Sequence, residues 1–367
     1  MTIRMELQHY EAKAVCRGAK RYLECMVDIG LDEPLALPVL QVDGAEAGPV
    51  LLVLAAVHGD EYEGVETVLR LYRSLRPGHL AGSVIMIPAA NLLAYRGGTR
   101  ITPEDGVNMA RAFPGNPHGT PTERLAYQLH HRFIAQADFL LDLHSGGVHY
   151  AVSTLVGYYE NEASETGRRS RAAAEAFGAE LLWAHTDIAP GRSVSSALSL
   201  GVPWLYTEAY GGRRIRREDA ELFYAGAYRL MRHLGMLGES ADETDEADKT
   251  GYQAGAHTEQ AVQIQVPAPT GARQAGRRPP TRIYGDGNFD GSETAGADGF
   301  FIPAISLNTI VRAGDKIGAV CRLDGLELQE VRASRGGMVV MLAGSPPVRA
   351  GDPLYMLAGT EPSVSPE

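Results

Sequence analysis

Val50-Leu-Leu-Val-Leu-Ala-Ala-Val57, followed at once by His58-Gly-Asp-Glu61, is the stretch whose reading decides the fold. Eight consecutive apolar residues are far too few to span a bilayer and suit a strand buried within a sheet. Working outward, Tyr62–Leu75 carries apolar residues at helical spacing, and Ser83–Pro88 is a second β-branched strand. Thr122–Ala137 is amphipathic, with Thr120 or Thr122 as its cap. Phe139–Leu143 and Trp204–Thr207 read as further strands, with helices over Ala163–Phe177 and Leu222–Leu237, the last ending near Gly238. Strand and helix patterns in alternation predict an α/β sheet with helices on its faces, within a catalytic unit of residues 1–238 that includes an N-terminal lead-in.

The composition then shifts. Residues 239–297 open on an acidic, apolar-poor run and continue rich in Gly, Pro, Ala and Thr, which reads as linker or irregular loop. Val262–Val266 is the single strand expected inside it. Residues 298–367 contain no convincing helix and form a third, β-rich unit. Val311-Arg-Ala-Gly-Asp315 recurs there as Val348-Arg-Ala-Gly-Asp352, each copy leading into a β-like run, Lys316–Cys321 and Pro353–Leu357. Gly-Asp between strands is a hairpin signal. This unit looks like the small barrel-sandwich domains of biotinyl and lipoyl carriers. Its Arg335-Gly-Gly-Met338 turn lacks the lysine a carrier modifies, which favours a structural or gating role.

Length and composition bound the function. A chain of 367 residues with 44% hydrophobic and 22% charged residues suits a globular protein of more than one domain. A net charge of −11 argues against nucleic acid as the main partner, since phosphate binding needs a basic field. No segment is expected in a membrane, and the charged N-terminus lacks a secretory apolar core. Cys16, Cys25 and Cys321 show no CxxC spacing and read as reduced thiols of a cytoplasmic enzyme.

The residues that carry chemistry sit just after apolar strands. His58 and Glu61 follow Val50–Val57, and His144 follows Phe139–Leu143 in D-L-H-S-G-G. Carboxyl ends of strands in an open α/β sheet converge on one crevice. Two histidines and one carboxylate, with a fourth position for water, make the ligand set of a catalytic zinc site. HxxE alone arises often by chance; the second histidine beside Asp and glycines changes the balance. Gly146 and Gly147 are expected to let the backbone approach a ligand. Asp142, two residues before His144, either orients an imidazole or is a structural aspartate. Glu208 ends another strand and can shuttle protons if it keeps the company of the metal ligands. Between these lie Arg96-Gly-Gly-Thr-Arg100 and Asp105–Gly115, arginine-bearing loops that suit either an anion or surface ion pairs.

Taken in order, these segments resemble the succinylglutamate desuccinylase/aspartoacylase family, related to zinc carboxypeptidases. The pattern is HxxE, an Arg, N-R-x-F-P-G, D-L-H and a late Glu. It falls here on His58 and Glu61, Arg100, Arg111 with Phe113-Pro-Gly115, Asp142 with His144, and Glu208. The resemblance implies a carboxypeptidase-like mixed sheet holding one zinc ion on His58, Glu61 and His144, with Glu208 as general base. It implies Arg100 on the scissile carbonyl and Arg111 on a substrate carboxylate, with Asn108 beside it. One departure matters: the family has Asn directly before the second arginine, and this chain has Ala110. The missing amide removes a hydrogen bond to substrate and points to a carboxylate that is moved or absent.

The reading is therefore hydrolysis of the amide bond of a small N-acyl amino acid, nearest to bacterial deacetylases of N-acetyl-diaminobutyrate. Alternatives are a metallocarboxypeptidase on short peptides and a non-catalytic metal-binding homologue. A homo-oligomer is compatible with the acidic surface and the β unit, though nothing in the sequence requires it.

Overall fold

The computed structural model describes residues 2–12, 17–238 and 279–361. The strands in chain order are β1 (Thr2–Glu6), β2 (Ala19–Val27), β3 (Leu35–Asp43), β4 (Glu46–Ala55), β5 (Ala81–Ile87), β6 (Phe139–Leu143), β7 (Tyr150–Val152), β8 (Leu155–Tyr159), β9 (Leu181–His185), β10 (Trp204–Glu208) and β11 (Thr281–Tyr284). All but β7 lie in one sheet, ordered β1-β2-β3-β5-β4-β6-β10-β8-β9-β11. At its centre β5, β4, β6 and β10 run parallel, so their carboxyl ends meet at one rim.

Alternation along β4 explains why it is apolar throughout. Leu52 and Leu54 pack into one core with Leu125, Phe133 and Trp204. Leu51, Val53 and Ala55 pack into another with Val68, Phe177 and Phe223. Helices cover both faces, as a parallel sheet requires. The second core is covered by α1 (Glu63–Ser74) and, further along the chain, by two longer helices. The short α2 (Leu92–Gly97) and then α3 (Pro121–Arg132) follow, α3 held by a capping box between Thr120 and Glu123. The chain continues through α4 (Glu165–Phe177), α5 (Ser193–Ser199) and α6 (Arg217–His233). Among the described residues no helix is long and apolar enough to cross a membrane.

The stretch expected as linker departs from that expectation where it is described. Residues 281–284 pair in parallel with β9, adding the last strand of the large sheet. Four residues with one fully buried side chain, Ile283, are too short to stand out in a Gly- and Pro-rich background. The strand expected at Val262–Val266 and the acidic run lie outside the described residues.

Beyond β11 the chain forms β12 (Glu293–Thr294), β13 (Gly299–Pro303), β14 (Ile310–Val311), β15 (Lys316–Cys321), β16 (Glu327–Arg332), β17 (Gly337–Ala343), β18 (Pro347–Val348) and β19 (Pro353–Ala358). They make two antiparallel sheets, β12-β19-β17-β14 and β16-β15-β13-β18, closing on a shared core that includes Phe301, Ile317, Val339 and Leu354. The repeated V-R-A-G-D does form two like turns. Asp315 Oδ2 accepts from the Arg312 amide at 2.7 Å, and Asp352 Oδ2 from the Arg349 amide at 2.8 Å. Neither turn is a hairpin, however: each carries the chain from one sheet to the other. Gly314 and Gly351, at φ 89° and 94°, supply the left-handed residue that redirects the strand.

The β-rich unit is welded to the large sheet. β7 pairs with β17, setting Val152 opposite Met341. Ile283, Trp183, Val152, Met338 and Val340 share one core across the junction. Truncating Ile283 to Ala should lower the unfolding free energy by about 2–5 kcal/mol, read from denaturant melts. A loss under about 0.5 kcal/mol would mean that this segment only lies on the surface.

Candidate metal centre and active site

β4 delivers His58 and Glu61, β6 delivers Asp142 and His144, and β10 delivers Tyr206 and Glu208. Because β4, β6 and β10 are parallel neighbours, three remote segments meet in one crevice. The ligand atoms of His58, Glu61 and His144 all lie within 4.8 Å of one another. Glu61 sits between the rings: its Oε1 is 2.7 Å from His58 Nδ1 and its Oε2 is 3.0 Å from His144 Nδ1. The far nitrogens are held from behind. His58 Nε2 is 3.1 Å from Asn108 Oδ1, and His144 Nε2 is 3.0 Å from Asp142 Oδ2.

Each Nε2 faces an acceptor, Asn108 Oδ1 or the Asp142 carboxylate, so with a metal bound each imidazole would keep its hydrogen on Nε2 and offer Nδ1 as the ligand. Two imidazole nitrogens and a carboxylate aimed at one point fit a zinc-type divalent cation, the donor set being mixed nitrogen and oxygen. Asn108, expected beside the substrate, instead backs a histidine, and its Oδ1 also accepts from the Ala110 amide at 3.0 Å. Asp142 is fully buried, and the Ser193 hydroxyl donates to its Oδ2.

Electrostatics follow from burial. Glu61 is buried, which alone would raise its proton affinity, yet His58 and His144 hold its carboxyl well below the usual range. His144 is pushed the other way: burial disfavours its cation, but Asp142 and Glu61 outweigh that and raise its pKa. Arg100 Nη1 donates to Glu61 Oε1 at 3.1 Å, and its guanidinium lies 5.1 Å from the Tyr150 ring centre. Glu208 is buried, and one of its oxygens has no hydrogen-bond partner among the described residues. Burial pushes its carboxyl up to about 8, against the pull of His144.

His58, Arg100, Asp142, His144 and Glu208 line a cavity of about 70 Å³ together with Ala110, Arg111, Arg192, Tyr206, Gly287 and Phe289. A larger cavity of about 760 Å³, beside Thr154, Arg216 and Asn308, contains none of them. Tyr206 was legible in principle, because it lies two residues before Glu208 on the same strand face. Arg192 and the Gly287–Phe289 wall carried no such signal. The two glycines after His144 serve packing: a Cβ at Gly146 would lie 2.2 Å from the Tyr150 carbonyl oxygen, and one at Gly147 would lie 2.6 Å from Asp60. They admit protein rather than ligand.

The sequence model of the succinylglutamate desuccinylase/aspartoacylase catalytic domain matches residues 47–234, which carry every residue of the centre. The chain belongs to this family. Within the family, it is 31% identical over 211 residues to the N-alpha-acetyl-L-2,4-diaminobutyric acid deacetylase of Halomonas elongata. That match covers 57% of this chain and 61% of the deacetylase, so the chain spans less than two thirds of that relative. Similar folds include the succinylglutamate desuccinylase/aspartoacylase of Rhodobacter sphaeroides, at TM-score 0.77 and 25% identity, covering 95% of this chain and 97% of that one. Another is the product-bound ectoine utilization protein EutE of Ruegeria pomeroyi, at TM-score 0.73 and 24% identity, covering 92% and 93%.

The raised Glu208 carboxyl makes stability depend on pH. Between its ordinary value of 4.5 and about 8, metal-free folded protein keeps a proton that the unfolded chain has released. Folded stability contributed by Glu208 therefore falls as pH rises through that window. Glu208→Gln removes the term, so metal-free variant and wild type should be similar near the low end and the variant increasingly the more stable toward the high end. A pH-independent difference between the two unfolding curves would contradict the burial argument.

Proposed function

We propose that the chain is a zinc-dependent deacylase that hydrolyses the amide bond of a small N-acyl amino acid. The observation that carries this reading is the convergence of two Nδ1 atoms and the Glu61 carboxylate beside a buried Glu208 oxygen that has no partner among the described residues. Membership of a family whose relatives include a deacetylase supports it. His58, Glu61 and His144 would hold the ion, which when bound supplies Lewis acidity to the substrate carbonyl and acidity to a water.

The remaining steps belong to the protein. Asn108 and Asp142 fix the two imidazoles by accepting from their Nε2–H groups, which keeps both Nδ1 atoms inward. Glu208 takes the proton of the attacking water and returns it to the departing nitrogen. Its burial helps, since a carboxyl whose proton affinity is raised toward neutrality can both accept and release a proton at working pH. Arg100, already at the cluster's edge, offers its guanidinium to the oxygen on which negative charge develops. A cavity of about 70 Å³ suits a short acyl group.

The test is hydrolysis of a panel of N-acetyl and N-succinyl amino acids, with dipeptides as comparison. Wild type should prefer an N-acyl amino acid over every dipeptide. Glu208→Gln should keep its metal content while turnover falls by about 10²–10⁴-fold. Full activity in that variant would remove Glu208 from the mechanism, and preference for dipeptides would replace the deacylase reading with a carboxypeptidase.

A further inference from the structure

Arg111, which the family pattern assigns to a substrate carboxylate, is already engaged by the protein. Its Nε donates to Asp290 Oδ2 at 2.7 Å, its Nη2 to Asn288 Oδ1 at 3.2 Å, and its Nη1 to the Ala110 carbonyl at 2.8 Å. The Nε–Nη2 edge, the fork that grips a carboxylate with two parallel bonds, is thus filled by one carboxylate oxygen and one amide oxygen. Asp290 comes from outside the family-matched residues, in Gly285-Asp-Gly-Asn-Phe-Asp-Gly291 just after β11.

That segment is fixed as a wall of the catalytic cavity. His185 Nδ1 donates to the Gly285 carbonyl at 2.7 Å, and Arg192 Nη1 to the Asp286 carbonyl at 2.9 Å. A Cβ on Gly287 would lie 2.7 Å from the His185 ring, so glycine is what allows the wall to close this tightly. Partial burial opposes ionisation of Asp290, but Arg111, Arg100 and Arg192 together keep its carboxyl below the usual range. A carboxylate of the chain, itself largely exposed, therefore sits in the field of three arginines that line the cavity.

We propose that Asp290 is an internal stand-in for a substrate carboxylate and so a specificity-determining residue. By occupying Arg111 it turns away substrates that bring a second carboxylate, such as N-succinyl amino acids or N-acyl dicarboxylic amino acids. The site then takes N-acyl amino acids with an uncharged acyl group and no acidic side chain. Replacement of the family Asn by Ala110 removes another carboxylate contact at the same place and agrees with this. The inference rests on the deacylase reading above and names its substrate class.

The test compares N-acetyl-L-alanine with N-acetyl-L-aspartate as substrates of wild type and Asp290→Asn. Asparagine keeps the shape and the acceptor oxygen but removes the charge. The kcat/KM ratio should shift toward N-acetyl-L-aspartate by about tenfold or more, and Asp290→Asn combined with Arg111→Gln should lose that gain. An unmoved ratio, or an equal fall on both substrates, would overturn the proposal and leave Asp290 a structural latch. Calorimetric titration with succinate, and with acetate as control, reads the same subsite without turnover. Asp290→Asn should bind succinate about tenfold more tightly than wild type does, with acetate unchanged. Absence of any amide hydrolysis by wild type would sink the deacylase reading alone; an unchanged succinate affinity would sink the role of Asp290.

Discussion

A carboxylate buried between two imidazoles is the constraint on which the rest of the structure depends. Glu61 lies out of water with both oxygens committed, one to each histidine. An isolated buried carboxylate would cost several kcal/mol, so its surroundings must supply positive charge and donors. Arg100 and the Ser145 amide do so, and the histidines add donors in the metal-free state when their Nδ1 atoms carry hydrogen. Each histidine must in turn be held by its far nitrogen, which explains a buried Asp142 and an Asn108 turned inward. The network is stable only if three strand ends keep their register, and the parallel β4, β6 and β10 ladders impose it.

The protein completes the site from a distance in sequence. Residues 285–291 follow the last strand of the sheet, and two of them, Gly287 and Phe289, line the cavity together with Arg111 and Arg192. The β-rich unit beyond them shares a core with the sheet around Trp183 and Ile283. The Gly287–Phe289 wall is held by hydrogen bonds to the Gly285 and Asp286 backbone carbonyls and by the Arg111 fork.

Much of this was legible in the sequence for simple reasons. Val50–Val57 is apolar at every position because both faces of β4 are covered, and the ligands follow it where strand ends converge. His58, Glu61, His144 and Glu208 stood out because each ends or follows an apolar strand. What was not legible came from partners far apart in the chain. Asn108 could be seen as a polar residue near an arginine, but not as the acceptor behind His58. Arg111 matched a family position, while the Asp290 that engages it lies 179 residues away. β11 was hidden by brevity, and the V-R-A-G-D turns were recognised as turns but not as crossings between sheets, since local sequence does not say which sheet receives the next strand.

The central claim is a metal centre with both Nδ1 atoms turned inward, and X-ray anomalous diffraction from zinc-replete crystals tests it most directly. The account predicts a zinc-edge peak bonded to His58 Nδ1, His144 Nδ1 and the Glu61 carboxylate, with Asn108 and Asp142 behind the rings. No peak at that point, or an ion bound through either Nε2, would contradict it.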